Sequence, residues 1–273
     1  MSTVSACHGA SECGERFSAW LCAAAVVLGI HAVVAWAAPP IVSNFDRGAE
    51  GWIVRDLNCS NYNSVLGTYS VTWYATGGDP GGHIGRFDPS SNCYFFEAPA
   101  SYIGNQSARI GGALWFSLRT NENDWPPGRV AVFIGDNNKI LVHTFAQPNN
   151  TWQRFVIPLT ASSFRMNTAT GPAVSEAQFA AVMGNLQAIR ISGEHGAVVE
   201  ETTWIDSVCF RDSLCSADLN CDGAVDVLDL LQLLNAWGAC AAPLTSCIAD
   251  LNASGGVDVQ DMLILLGAWG PCR

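Results

Sequence analysis

Two acidic segments near the C-terminus carry side chains whose types and spacing fit one chemical task. A loop that wraps a calcium ion supplies oxygen ligands at positions 1, 3, 5, 7, 9 and 12, with glycine at position 6 for the sharp turn. Residues 218–229 and 250–261 both follow this pattern. The predicted ligands are Asp218, Asn220, Asp222, the Ala224 carbonyl, Asp226 and Asp229 in the first loop, and Asp250, Asn252, Ser254, the Gly256 carbonyl, Asp258 and Asp261 in the second.

The two loops belong to a duplicated segment. Residues 217–240 and 249–272 are identical at 16 of 24 positions, with a constant offset of 32. Each loop leads into an apolar run at roughly helical spacing, and Gly238 or Gly270 then marks the helix end. The predicted apolar faces are Leu230, Leu231, Leu233, Leu234 and Trp237 in one copy, and Met262, Leu263, Leu265, Leu266 and Trp269 in the other.

The loops also predict how the two copies meet and how they differ. Val225 and Val257 occupy position 8 and point away from the ion, so we expect them to pair the loops through a short β-contact. The second loop has Ser254 where the first has Asp222, and it therefore carries one formal charge fewer. Because calcium affinity follows the ligand charge count, we expect the second site to be weaker.

On these motifs, residues 214–273 resemble a type I dockerin, in the variant common in secreted proteins of planctomycete-like bacteria. Dockerins are duplicated calcium loop–helix modules that bind cohesin domains or otherwise tether secreted proteins to a surface or complex. The resemblance implies two bound Ca²⁺ ions and a cohesin-like or other cell-surface partner. Many dockerins carry a Ser–Thr pair at loop positions 10 and 11, whereas this chain has Val227–Leu228 and Val259–Gln260. The calcium role carries over, but a cohesin partner does not follow.

Charge and composition support metal binding and argue against nucleic acid. The net charge is −11, and residues 214–273 contribute −6 of it, from seven acids and one arginine. The chain has a single lysine, Lys139, and no basic stripe of the kind that binds nucleic acid. We therefore expect the acidity to serve the calcium loops, with no nucleic-acid partner.

The N-terminal segment predicts export. Residues 20–38 carry no charge and include an A-x-A site at residues 35–37, which is typical of a secretory signal peptide over residues 1–37. The alternative is an uncleaved anchor, because an apolar run of this length nearly spans a bilayer. A membrane contact is expected only in that case. The expected location is extracellular or at the surface of a bacterium.

Eight cysteines follow this segment, and an even number in an exported chain implies disulfides. They are Cys59, Cys93, Cys209, Cys215, Cys221, Cys240, Cys247 and Cys272. Repeat symmetry favours either Cys215–Cys240 with Cys247–Cys272, or Cys215–Cys272 with Cys240–Cys247. The remaining disulfide pairs would then be Cys59–Cys93 in the N-terminal domain and Cys209–Cys221 at the junction.

Residues 41–211 are predicted to form one β-sandwich or jelly roll, because short β runs alternate with Gly, Asn, Asp and Pro clusters. One segment, Ser175–Gly184, indicates a helix. The fold class is therefore mainly β, followed by a small α-helical calcium-binding module. The predicted strands are Val42–Asp46, Gly51–Arg55, Tyr69–Tyr74, Tyr94–Glu97, Gly112–Arg119, Arg129–Ile134, Lys139–Phe145, Trp152–Leu159, Gln187–Ile191 and Thr203–Phe210.

Four short phrases carry a second resemblance. Residues 77–84, 94–99, 102–105 and 111–116, after an opening Phe-Asp…Gly-Trp, are similar to the laminin B module, also called laminin domain IV, over residues 42–211. The closing Ile205–Val208 also resembles galactose-binding-like jelly rolls. Both resemblances imply a non-catalytic extracellular β-sandwich.

Candidate ligand contacts in this domain are few, and no nucleophile elbow, zinc-protease or phosphate-loop motif occurs. Trp125 lies in a polar turn, where it either stacks on a sugar ring or a partner or covers the end of the sandwich. Asp46 and Asp206 are candidates to share a structural calcium ion. Four other tryptophans in the strands are expected in the core: Trp52, Trp115, Trp152 and Trp204.

The sequence thus predicts a secreted, calcium-binding, non-catalytic recognition protein. The β-sandwich would bind polysaccharide or a cell-surface glycan, and the dockerin-like module would tether it. One alternative is an auxiliary or catalytic component of extracellular polysaccharide degradation, because dockerins often accompany glycoside hydrolases. Another is a structural cell-surface protein with no glycan ligand.

Overall fold

A computed structural model describes residues 39–122, 124, 129–196, 201–212, 215–240 and 247–272. The predicted signal peptide and Trp125 lie outside these described residues. Within the described ranges, no helix has the length and apolar character needed to cross a membrane.

The larger part is a sandwich of two antiparallel sheets. In chain order its strands are β1 (Ile41–Ser43), β2 (Ile53–Leu57), β3 (Val65–Ser70), β4 (Thr72–Gly78), β5 (Gly81–Phe87), β6 (Cys93–Glu97), β7 (Ala113–Thr120), β8 (Val130–Gly135), β9 (Ile140–Thr144), β10 (Gln153–Pro158), β11 (Arg165–Met166), β12 (Leu186–Ser192) and β13 (Thr202–Arg211). The first sheet has the order β10-β7-β13-β5-β4, with β1 paired to β13. The second has the order β11-β9-β8-β12-β6-β2-β3.

The core lies between the two sheets, where alternate side chains of each strand point inward. Phe116 of β7 and Phe210 of β13 are fully buried in the first sheet, as are Phe96 of β6 and Phe133 of β8 in the second. The rings of Phe133 and Phe210 meet edge to face across the sandwich, 6.3 Å apart. The predicted mainly β sandwich is therefore confirmed.

The predicted helix is also confirmed, as α1 (Glu176–Gly184), and Ser175 caps it together with Gln178. The Gly-rich run 77–82 forms a turn, with left-handed φ angles at Gly77 and Gly81 that favour glycine. The strand β5, which begins at Gly81, was not predicted because its opening glycines carry no alternating apolar pattern.

The C-terminal module contains α2 (Val227–Asn235) and α3 (Val259–Gly267), with four two-residue strands. These strands are β14 (Ala224–Val225), β15 (Gly238–Ala239), β16 (Gly256–Val257) and β17 (Gly270–Pro271). β14 pairs with β17 and β15 pairs with β16. Each loop strand therefore pairs with the chain that follows the helix of the other repeat.

The expected pairing of Val225 with Val257 is wrong. Val225 lies opposite Gly270, and Val257 lies opposite Gly238. Both valines are buried in the module core, and the two glycines have left-handed φ angles that turn the chain from the helix into the short ladder.

The predicted apolar helix faces are divided between the core and the surface. Leu233 and Leu265 are fully buried, but Leu231 is 56% exposed, and Trp237 and Trp269 are 49% and 50% exposed. Each helix of this small module therefore buries one apolar stripe in the core. Among the described residues, a second apolar stripe of each helix is exposed to solvent.

Candidate calcium loops and their junction with the sandwich

The carboxylate at position 1 organises the turn of each loop. Asp218 accepts hydrogen bonds from the backbone N–H groups of Asp222, at 3.2 Å, and Gly223, at 3.0 Å. Gly223 has a φ of 93°, in the left-handed region that glycine adopts most readily. The turn at position 6 is thus built as a calcium loop requires.

The carboxylate at position 12 closes each loop. Asp229 accepts from the backbone N–H groups of Leu219 and Asn220 through Oδ1, and from that of Asp226 through Oδ2. Its side chain is fully buried. It therefore ties the start of α2 to the start of the loop, although its arm is one methylene shorter than that of glutamate.

The second loop repeats this framework almost bond for bond. Asp250 accepts from the N–H groups of Ser254 and Gly255 at 2.9 and 2.8 Å, and Asp261 accepts from those of Leu251, Asn252 and Asp258. Gly255 also has a φ of 93°. Two loops with different residues at position 5 thus have the same backbone arrangement.

The remaining predicted ligands lie in the same loops. Asn220 and Asn252 accept from the N–H at position 5, and Asp226 and Asp258 are the N-caps of their helices. The Gly256 carbonyl, at position 7, accepts a hydrogen bond from the Ser254 hydroxyl. These predicted ligands therefore hold the loop backbone and the first turn of each helix.

The donor set fits a hard divalent cation. Burial raises the pKa of Asp218 to about 6, and the neighbouring charges of Asp229 and Asp222 act in the same direction. None of these three carboxylates forms a salt bridge within the described ranges. Oxygen ligands at this spacing, most of them carboxylates, suit Ca²⁺, which takes six to eight oxygens. The residues that would hold it are those predicted above.

All eight predicted cysteines are paired in the structure. The bonds are Cys59–Cys93, Cys209–Cys221, Cys215–Cys272 and Cys240–Cys247. Within the module this is the second of the two symmetric arrangements, in which each bond joins one repeat to the other. Four disulfides indicate an oxidising, extracellular type of compartment.

The first repeat is attached to the sandwich at the end of β13. Cys209 of β13 is bonded to Cys221, at position 4 of the first loop. Two residues later, Arg211 is buried and donates through Nη1 to the carbonyls of Cys215, Ser216 and Asp218. A covalent bond and a charged hydrogen-bond network thus hold the first loop against the sandwich.

Trp115 lies at the base of this junction and does not belong to the sandwich core. It is buried, but it packs with Cys209 and Cys221 on the outer side of β7. Of the four tryptophans predicted as core, Trp52 lies in the main core, whereas Trp152 and Trp204 are half-buried around the guanidinium of Arg119. The alternating strand pattern did not distinguish the two faces of the sheet.

Asp46 and Asp206, proposed to share a structural ion, both lie at the Gly-rich turn. Asp206 accepts from the N–H groups of Asp79 and Ser207, and Asp46 accepts from that of Gly82 at 3.4 Å. Burial raises the pKa of Asp206 to about 7, and Asp79 and Asp46 add to this effect. Asp79 was not predicted to belong to this group, because the sequence prediction covered only Asp46 and Asp206.

A second group of buried acids lies at the ends of β2, β5 and β12 and the start of β13. Burial raises the pKa of Glu194 to about 9, and the charges of Glu201, Asp88 and Asp56 contribute further. The carboxylate of Glu201 accepts from the backbone N–H of His195. This cluster has no sequence signal, because its members come from four separate segments.

Glu97 is paired with two arginines in the structure. It bridges Arg55 and Arg190 at 2.9 and 2.7 Å on the outer face of the second sheet. Its charge is therefore balanced by two guanidinium groups.

The sandwich has counterparts among known proteins. Residues 95–218 match the Laminin B (Domain IV) family model. Laminin subunit gamma-1 of Xenopus tropicalis is 30% identical over 181 residues, which cover 62% of this chain and 10% of the subunit. The sandwich is therefore laminin B-like, and the matched part of the chain spans about a tenth of that relative.

A solved laminin domain supports the fold of the laminin B-like sandwich. The L4b domain of human laminin alpha-2 has a TM-score of 0.51 and 14% identity, and the match covers 64% of this chain and 98% of that one. The family 11 carbohydrate-binding module of the cellulosomal cellulase Lic26A-Cel5E of Clostridium thermocellum has a TM-score of 0.40 at 14% identity, covering 64% and 95% of the two chains.

Proposed function

We propose that this chain is a secreted, non-catalytic recognition protein that binds polysaccharide or a cell-surface glycan and is tethered through a calcium-dependent, dockerin-like module. Its laminin B-like sandwich would carry the recognition surface. Residues 214–273 would bind two Ca²⁺ ions, and the fold of that module would depend on them.

The observation that carries this proposal is the repeated framework of the two loops. Asp218 and Asp250 accept from equivalent backbone N–H groups, and so do Asp229 and Asp261. Calcium supplies folding free energy where a small core cannot, because the ligands are gathered only in the folded state. The loop with Ser254 is the proposed weaker site, because it has one charged ligand fewer than the first loop.

The exposed apolar stripes of α2 and α3 support a tethering role. Large side chains such as Leu231, Leu263 and the two exposed tryptophans are normally covered in a soluble protein, and contiguous exposed apolar residues mark interaction sites. A cohesin-like domain or another cell-surface protein is the proposed partner. Since positions 10 and 11 are mostly apolar here, we expect a less polar contact than a Ser–Thr pair would give.

The second part of the proposal is that the sandwich binds a glycan. Trp125 stays a candidate contact outside the described residues. The alternatives are an auxiliary or catalytic role in extracellular polysaccharide degradation, and a structural role at the cell surface. A glycan array separates recognition from a structural role, and release of reducing sugars separates catalysis from both.

The decisive experiment on calcium uses the full secreted chain, because Arg211 and the Cys209–Cys221 bond join the module to the sandwich. Isothermal titration should show two binding events, of which Asp218→Ala removes the tighter and Asp250→Ala the weaker. A chain that binds no calcium, with an unchanged melting temperature in chelator, would refute the calcium-dependent tether.

A further inference from the structure

A cleft of about 620 Å³ lies between the first sheet of the sandwich and the first calcium loop. This volume is within the range of roughly 300–1,000 Å³ that is usual for small-ligand sites. Its lining includes Asn44, Asp46 and Arg154 of the sandwich, and Asn220 and Gln232 of the module. Both parts of the chain therefore contribute polar side chains to one cavity.

Arg154 presents an unpaired charge in this cleft. Its guanidinium carbon lies 4.9 Å from the centroid of the Trp115 ring, which fixes the group in place. Asp79 and Asp206 influence it electrostatically, but neither forms a salt bridge with it in the part of the chain described. The planar guanidinium therefore keeps its hydrogen-bond donors for a group from outside the protein.

Trp115 forms the wall of the cleft beside this guanidinium. Its side chain is 3% exposed and lines the cleft, and its Nε1–H is buried without a hydrogen-bond acceptor among the described residues. Because this donor has almost no accessible surface, it is not assigned to a ligand. The donors of Arg154 would be satisfied by one ligand group that accepts several hydrogen bonds.

The surrounding charges narrow the chemistry of that group. A carboxylate matches the planar fork of an arginine and forms two parallel hydrogen bonds with it. A doubly charged phosphate is disfavoured, because Asp46 and Asp222 also line the cleft and repel negative charge. The amides of Asn44 and Gln232 both donate and accept, as hydroxyl groups require, whereas Asn220 offers a donor from Nδ2 because its oxygen is assigned to calcium.

We propose that this cleft binds an acidic saccharide, with the carboxylate of a uronic acid residue on Arg154 and its hydroxyl groups on the amides of Asn44, Asn220 and Gln232. The inference rests on the proposed function of glycan recognition and assigns it a site and a ligand class. It places the site at the junction with the module and not on the sandwich alone.

The site is coupled to the first calcium loop. Asn220 lines the cleft and also occupies position 3 of that loop, and the Cys209–Cys221 bond fixes the loop beside the cavity. Removing calcium frees Asn220 and its neighbours from the loop geometry. Saccharide binding is therefore weaker in chelator, even with the sandwich folded.

The test measures binding of trigalacturonate, triguluronate and a hyaluronan tetrasaccharide to the full chain in excess calcium, with galactotriose as the neutral counterpart. At least one acidic probe binds, and Arg154→Gln weakens that binding by about tenfold or more, as for loss of charged hydrogen bonds. Arg165→Gln is the matched control, because Arg165 is exposed on β11 and does not line the cleft.

A second variant covers the case in which Arg154→Gln does not fold. Gln232→Glu adds a negative charge to the module wall and weakens binding of the acidic probe, whereas Gln187→Glu, at an exposed position of β12 away from the cleft, leaves binding unchanged. Equal binding by Gln232→Glu and wild type, or no binding of any acidic probe, overturns the site. Binding of galactotriose or another neutral glycan without acidic probes overturns it while leaving the proposed glycan recognition intact.

Discussion

Arg211 of β13 stacks on Trp115 of the neighbouring strand β7, with 4.6 Å between the guanidinium carbon and the ring centroid. The same guanidinium donates to three carbonyls at the entry to the first calcium loop. A single side chain thus connects the outer face of the sandwich to the start of the module. Burial lowers its pKa to about 10, so it still carries its charge at neutral pH.

Replacing this arginine should destabilise the whole chain. Arg211→Met leaves the carbonyls of Cys215, Ser216 and Asp218 without their donor, and we expect a loss of about 2–4 kcal/mol in the free energy of unfolding. Chemical denaturation followed by tryptophan fluorescence checks this. Arg165→Met, on an exposed strand, is the control, and equal stability of the two variants would contradict the prediction.

The two calcium sites should exchange their ranking when the residues at position 5 are exchanged. Ser254→Asp adds a charged ligand and should tighten the second site by about tenfold, and Asp222→Ser should weaken the first by a similar factor. Titration calorimetry on each variant gives both affinities. If neither substitution changes the affinities, position 5 does not contact the ion.

The two disulfides within the module should contribute unequally. Cys215–Cys272 closes a separation of 57 residues, whereas Cys240–Cys247 closes one of 7. Loop-closure entropy makes the longer link worth about 2 kcal/mol more. Unfolding of the two double Cys→Ser variants in saturating calcium measures the difference, and a larger loss on removing the short link would go against the chain-entropy argument.

The buried acids at the end of the sandwich predict a decline of stability with pH. The pKa of Glu194 is raised from 4.5 to about 9, so between these values the folded state keeps a proton that the unfolded state has lost. Its contribution is therefore complete below about pH 4.5 and is lost as the pH rises towards 9. Glu194→Gln should flatten this decline, measured by denaturation at pH 5, 7 and 9.

Glu176→Gln provides the control for this experiment, because Glu176 is exposed at the start of α1. The free energy of unfolding of Glu176→Gln should fall with pH as steeply as that of the wild type. Parallel curves for the wild type and Glu194→Gln would assign the pH dependence to other groups.

Local patterns in the sequence predicted the features that depend on local spacing. An acidic residue near the start of an apolar segment indicated α1, and short β runs punctuated by turn residues indicated the sandwich. The offset of 32 between repeats reduced the module disulfides to two arrangements, and the structure has the second.

Features that depend on distant segments were missed. The base of the junction at Trp115 is one example, because alternation places a residue on a face of a strand without saying which element covers that face. The pairing of Val225 with Gly270 is another, since two equivalent repeats leave open which segments interlock. The buried group around Glu194 comes from separate strands, and no sequence window contains it.

The nested ladders and nested disulfides that join the two repeats have a consequence for cleavage of the module by proteases. A cut anywhere between residues 240 and 247 would leave both pieces joined, because Cys240–Cys247 spans the cut and Cys215–Cys272 joins the outer ends. β14 would still pair with β17 across the nick. A nicked module would therefore migrate as an intact chain until it is reduced, and it would remain attached to the sandwich through Cys209.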